Sequence, residues 1–224
     1  MKLKILTVPV LIALTITTAS AQYQRTDLVS NQPGVAPNAD PHLVNAWGLV
    51  ALPTSPWWTS DNGTGDSSLY NAAGQPVIAS GGTTNFVTVP PAPGSPSGTL
   101  GTPTGIVGNI SPTATDFTIT ENGVSGQSAF IFATLDGTIS AWNPVVDGGT
   151  GNSHATLVVN RSGAGATYTG LAIATNQTGT FLYAADGGPN RRVDMFDGTF
   201  TLVKSFDDPA IPRNFTRLRN SDRK

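Results

Sequence analysis

The sequence predicts an all-β protein of propeller-like, four-stranded blades, incomplete at about three, following an N-terminal signal helix. Three observations carry this prediction. The chain holds 25 Gly and 17 Pro while only 12% of its side chains are charged, a balance that goes with many turns. No window of about 11–18 residues beyond the N-terminus shows a helical apolar stripe. A strand-and-turn unit with one fixed order of Gly, aromatic, Asp and aromatic residues recurs along the chain.

Residues 1–21 stand apart. "MKLK" supplies positive charge, "ILTVPVLIALTITTA" is apolar, and "ASA" at 19–21 places small residues two apart. That is the pattern of a secretory signal peptide, with cleavage expected after Ala21 and a secreted or periplasmic product. The apolar run is shorter than the roughly 20 residues of a spanning helix, and no later run is long enough, so no transmembrane segment is expected after cleavage. Cys is absent, so an exported domain of this chain relies on its core and not on disulfides. Residues 22–212 hold five positive and thirteen negative side chains, a net of −8. An acidic body lacks the basic face that nucleic acid requires.

The repeat is clearest in residues 169–206. "GLAIAT" alternates as a strand, "NQTG" turns, "TFLYAAD" is a second strand, "RVDMFD" a third and "GTFTLVKSF" a fourth. Asp197-Gly198 is the pair favoured in tight hairpins, because Gly accepts a positive φ. The same order runs from Trp47 to Ser80, where Gly48 matches Gly170, Trp58 matches Tyr183, Asp61 matches Asp186 and Tyr70 matches Phe196. A distorted middle copy comprises "TGIVGN", an inserted strand "DFTIT", "AFIFATLDG" and "TISAWN", with Phe132 and Asp136 at the matching places. The expected blades span about 45–100, 102–165 and 168–210 within a partial propeller at 22–212. Three blades do not close a ring of the usual 4–8, so the sequence reads as truncated or as pairing with another copy through open sheet edges. Residues 213–224 abandon β alternation and gather Arg213, Arg217, Arg219, Arg223 and Lys224, which reads as a disordered or frame-shifted tail.

At "DLVSNQPGVAPNADPHLVNAWGL", residues 27–49, the chain resembles a family of exported bacterial proteins of uncharacterised function. "WWTSDNGTGDSSLYN", "TGIVGN", "AFIFATLDGTISAWNP" and "YTGLAIA…FLYAAD…VDMFDGTF" are similar to that family's later blocks. The resemblance covers about residues 26–212 and implies a β-propeller. Some relatives carry a Pro-Glu-Pro sorting tail, which is missing here. More distantly, the blades look like those of NHL-repeat and gluconolactonase-type propellers.

Asp61, Asp136 and Asp186 take equivalent places after the second strand of each unit. With Glu121 and Asn122 beyond "DFTIT", they offer oxygen ligands that would suit Ca²⁺ if they converged. An Asp at such a place equally accepts hydrogen bonds from the amides of its own turn. "DNGTGDSS" at 61–68 lacks the order of a calcium loop. "GVSGQ" at 123–127 lacks the last Gly of a nucleophile elbow, and His42 is expected on the surface. Trp47, Trp58 and Trp142 read as packing between blades. Trp57 points opposite to Trp58 on one strand and is the candidate ligand contact.

These features lead to a secreted binding or scaffold protein with a protein or carbohydrate ligand. One alternative is a calcium-dependent, lactonase-like hydrolase using Asp61, Glu121, Asn122 and Asp186, with the metal polarising a carbonyl. The other is a non-functional fragment. The leaning is away from an enzyme.

Overall fold

Each predicted unit folds as an antiparallel meander, and the meanders stack in sequence order. The structure is a computed structural model; it describes residues 24–80, 82–146 and 153–210. The expected signal peptide, its cleavage point and the 213–224 tail lie outside the described residues. A short parallel pair, β1 (Val29–Ser30) and β2 (Asn38–Ala39), comes first. Sheet I follows as β3 (Ala46–Val50), β4 (Trp57–Asp61), β5 (Asp66–Tyr70) and β6 (Phe86–Thr88).

Sheet II begins with β7 (Pro103–Gly108). A hairpin of β8 (Thr118–Glu121) and β9 (Val124–Gln127) interrupts it, so "DFTIT" is an inserted strand as expected. The sheet resumes with β10 (Phe130–Thr134), β11 (Thr138–Trp142) and β12 (Thr156–Asn160). Sheet III is β13 (Tyr168–Asn176), β14 (Gly179–Asp186), β15 (Arg192–Phe196) and β16 (Leu202–Asp207). The described residues are therefore all-β, in three four-stranded antiparallel sheets. The first strand of each sheet packs on that of the next, with β7 touching both β3 and β13. That stacking is propeller-like.

Period-two alternation divides the core into two layers. Between sheets I and II lie Trp58, Leu69, Val87, Ile106, Phe130, Phe132 and Trp142. Trp58 stacks on Phe130 at 4.2 Å between ring centroids and meets Trp142 at 4.8 Å. Between sheets II and III lie Ile131, Ile139, Ala141, Val159, Leu182, Ala184 and Phe196. Neighbouring residues of β10 thus point into different layers. The Thr104 hydroxyl reaches Ala133 O at 3.1 Å in its own sheet and Tyr168 O at 2.8 Å in sheet III, tying the two sheets together.

The cross-strand register gives a strict correspondence between sheets. Leu49 faces Thr59, Ile106 faces Phe132 and Leu171 faces Ala184. By the same pairing Trp58, Ile131 and Tyr183 are equivalent, each opposite Leu69, Ala141 and Met195 respectively. This confirms the Gly48–Gly170, Trp58–Tyr183 and Asp61–Asp186 matches. The middle match needs correcting. Asp61 lies opposite Ala46, Asp186 opposite Tyr168 and Thr134 opposite Pro103; Thr134, not Asp136, holds the equivalent place. Ile131 likewise holds the place read for Phe132; the register shift is common to all three sheets, so the misreading came from matching residue types.

The Asp197-Gly198 turn is also longer than a two-residue hairpin, since Phe196 pairs with Leu202. The Asp197 carboxylate accepts the Thr199 and Thr201 amides, and the positive φ of 61° falls on Phe200. Gly198 is required for another reason, because a Cβ there would collide with the Asp116 carboxylate.

Candidate functional site

The carboxylates at the strand ends are used locally. Asp61 is fully buried, and one of its oxygens accepts the Ser68 amide at 3.0 Å. Its other oxygen has no hydrogen-bond partner, and burial pushes its pKa up to about 6. Asp186 accepts the Thr167 and Gly188 amides at 2.9 and 3.0 Å and the Asn190 side chain at 2.8 Å. Thr134 does comparable work in sheet II, its hydroxyl accepting the Thr138 amide at 3.2 Å. Asp186 and Thr134 thus hold the chain around their own turns, the second of the two readings of these positions, whereas Asp61 reaches the amide of Ser68 within β5. Asp136 lies two residues on, within the β10–β11 turn.

Glu121 pairs with His154, whose Nε2 lies 2.9 Å from its carboxylate, and accepts the Thr156 hydroxyl at 3.4 Å. Asn122 and Gly123 form the β8–β9 turn with φ of 50° and 81°, the geometry that favours Asn-Gly in a two-residue hairpin. That turn accounts for Asn122 without any ligand. Among the described residues no three His, Cys, Asp or Glu side chains gather as a metal-holding group. Asp61, Glu121 and Asp186 are accordingly not brought together.

A different feature is concave and apolar. The face of sheet I away from sheet II presents Leu49, Trp57, Thr59 and Tyr70, and the N-terminal segment adds Leu28 and Leu43 to enclose a groove of about 300 Å³. Trp57 is 45% exposed there and Leu49 64%. One buried side chain builds this wall. Asp40 accepts the Tyr70 hydroxyl at 2.9 Å, the Asn85 side chain at 2.8 Å and the His42 amide at 2.9 Å. Burial, with Asp40 beside it, pushes the Tyr70 phenol up, so it stays a neutral donor. Asp40 therefore clasps residues 28–43 onto sheet I. Apolar walls of this kind remove apolar groups from water, at about 25 cal/mol per Å² buried.

The sequence correctly made Trp57 exposed and opposite to Trp58, but it did not single out Leu49 and Tyr70 beside it. The available signal was alternation: Leu49, Trp57 and Tyr70 share the face opposite Trp58. Trp58 and Trp142 are core, at 2% and 3% exposure, whereas Trp47 is 41% exposed. The packing expected of Trp47 fails because no sheet precedes sheet I among the described residues. His42 is also less superficial than expected. Its Nδ1 lies 2.7 Å from Asp66 and its ring stacks on Phe86 at 3.9 Å. No helix among the described residues is long and apolar enough to cross a membrane.

No protein-family model matches the chain. It is similar to an uncharacterised protein of Acanthamoeba polyphaga mimivirus, 30% identical over 206 residues that cover 88% of this chain and 49% of that protein. A second uncharacterised protein of the same virus is 35% identical over 100 residues, covering 43% of this chain and 17% of that protein. The chain thus spans about half or less of the length of these curated relatives. These matches correct the resemblance to exported bacterial proteins, since the relatives found are viral. Among solved structures, a chain from the crystal structure of BBS1N in complex with ARL6DN superposes at a TM-score of 0.41 and 16% identity, covering 78% of this chain and 46% of that one.

Proposed function

We propose that the chain is an exported, β-propeller-like binding module that holds a protein partner by an apolar anchor side chain seated in the groove on sheet I. The groove carries this reading: an indole that is 45% exposed and a leucine that is 64% exposed stand on a sheet beside a buried, hydrogen-bonded phenol. Exposed aromatic side chains on a fixed scaffold are the usual anchors of protein interfaces. Export rests on the charged, apolar and small-residue segments of residues 1–21.

Selection of random peptides against the purified chain tests the groove. Enriched peptides are expected to share an aromatic or branched aliphatic residue and to lose at least about tenfold in affinity against Trp57→Ala, about 1.4 kcal/mol. Peptides that bind Trp57→Ala as well as they bind the unaltered chain would overturn the reading.

A further inference from the structure

The inter-sheet joint is a repeated device, and its pieces can be followed through the register. On the sheet I side of the first joint stand Gly48 and Trp58. On the sheet II side Ile106, Phe130, Phe132 and Trp142 form the socket that buries Trp58. A Cβ on Gly48 would lie 2.8 Å from Ile106 Cγ2, so the glycine is what lets the two inner strands approach. At the second joint the equivalent pieces are Gly105 and Ile131 against Leu171, Leu182, Ala184 and Phe196. A Cβ on Gly105 would lie 2.7 Å from Leu171 Cβ.

Each end of the stack carries half of the same joint. On the face of sheet III that no described sheet covers, Gly170 and the half-buried Tyr183 occupy the places of Gly48 and Trp58. A Cβ on Gly170 would meet only Ala185, its own cross-strand neighbour, at 4.0 Å. On the outer face of sheet I, Leu49 and Trp57 are exposed while Thr59 and Tyr70 are buried beneath residues 28–43; these four occupy the places of Ile106, Phe130, Phe132 and Trp142. Those four residues line the groove. The groove is therefore the socket of a joint, and the open face of sheet III is its plug.

We propose that a second copy of this chain fills the groove, Tyr183 of each copy entering the socket of the other, so that two copies close head to tail into a ring of six sheets. This rests on the groove being a binding site and names its partner. Joints of this heterologous kind close into rings or run on into fibres, and six sheets falls within the range that closes. The first viral relative has as much chain again as the stretch matched here, room for a second set of sheets within one chain.

Sedimentation or light scattering on the purified chain from about 1 to 100 µM reads this directly. The expected mass is twice that of the single purified chain. Gly170→Leu and Tyr183→Ala, both on the open face, are expected to weaken association at least about tenfold while leaving circular dichroism unchanged. Trp57→Ala weakens it likewise from the other side. Mixing Trp57→Ala with Tyr183→Ala restores one intact joint per pair, so the mixture dimerises more tightly than either variant alone. A monomer at 100 µM, an open polymer, or a dimer indifferent to Gly170→Leu overturns the proposal. If the chain is monomeric yet still takes an aromatic peptide in a Trp57-dependent way, the binding site stands and only its partner is wrong. Loss of both observations removes both readings.

Discussion

Sheets II and III have nearly the same backbone plan but differ in what covers them. Every residue of β10 and β11 is buried, because Phe130 and Phe132 face one neighbour while Ile131 and Ala133 face the other. β14 instead alternates buried and half-buried along its whole length. Thr180, Leu182, Ala184 and Asp186 are covered, while Phe181, Tyr183 and Ala185 look outward. A sheet in this architecture is finished only by neighbours on both faces, and composition alone does not reveal which faces have one. Tyr183 is as bulky a choice as Ile131, its counterpart, yet only the latter is buried.

The largest test of that contrast is a pair of truncations. Phe132→Ala, in the doubly covered sheet, is expected to cost about 3–5 kcal/mol of unfolding free energy. Tyr183→Ala should cost clearly less than that in dilute, monomeric protein, because its side chain is only half-buried. Equal losses in urea denaturation would show that the open face is buried in solution even in the monomer.

A second test uses the strand-end carboxylates. Asp186 is saturated with donors, whereas Asp61 is buried with one oxygen unpartnered. The folded-state pKa of Asp61 is raised from 3.8 to about 6. The folded protein therefore holds this proton more tightly than the unfolded chain does, and the stabilisation is full below about pH 4. It is lost as pH rises from about 4 to 6, amounting to about 3 kcal/mol for this one group. Asp61→Asn should remove that slope. A stability profile between pH 4 and 7 identical in both proteins would refute it.

The smallest effect carries opposite signs. Gly105→Ala drives a methyl into Leu171 and should cost about 1–3 kcal/mol. Gly170→Ala meets only a 4.0 Å contact and should be neutral or stabilising by up to about 1 kcal/mol in the monomer. Thermal denaturation of the two variants side by side reads the difference. A destabilising Gly170→Ala would mean that something already packs there.

Much of the fold was legible because the repeat constrains backbone and burial together. The Gly that permits close approach and the large side chain at the joint (Trp58, Ile131, Tyr183) recur at nearly fixed spacing. Reading failed where tertiary context rules. Thr134 replaces a carboxylate by offering a hydroxyl to the same turn, so matching by residue type selected Asp136 instead. Asn122 looked like an oxygen donor, but its φ of 50° shows a residue chosen for backbone conformation. Trp47 looked like core because it is a bulky aromatic at a strand position, and its exposure follows from its place on the first described sheet. The His42–Asp66 and His154–Glu121 pairs join residues 24 and 33 positions apart, a separation that no local pattern encodes.

Asp40 links the groove to the order in which the molecule assembles. Its partners Tyr70 and Asn85 lie 30 and 45 residues ahead, so residues 28–43 can dock only after sheet I has formed. The β1–β2 pairing that they contribute is two residues long, a weak hold outside the main sheets. Segments held outside the main sheets open locally at a lower free energy than global unfolding takes. The socket on sheet I is thus last to be completed and first to be released, and a partner that presses on Leu28 and Leu43 would slow the flap's exchange with water while leaving that of sheet II unchanged.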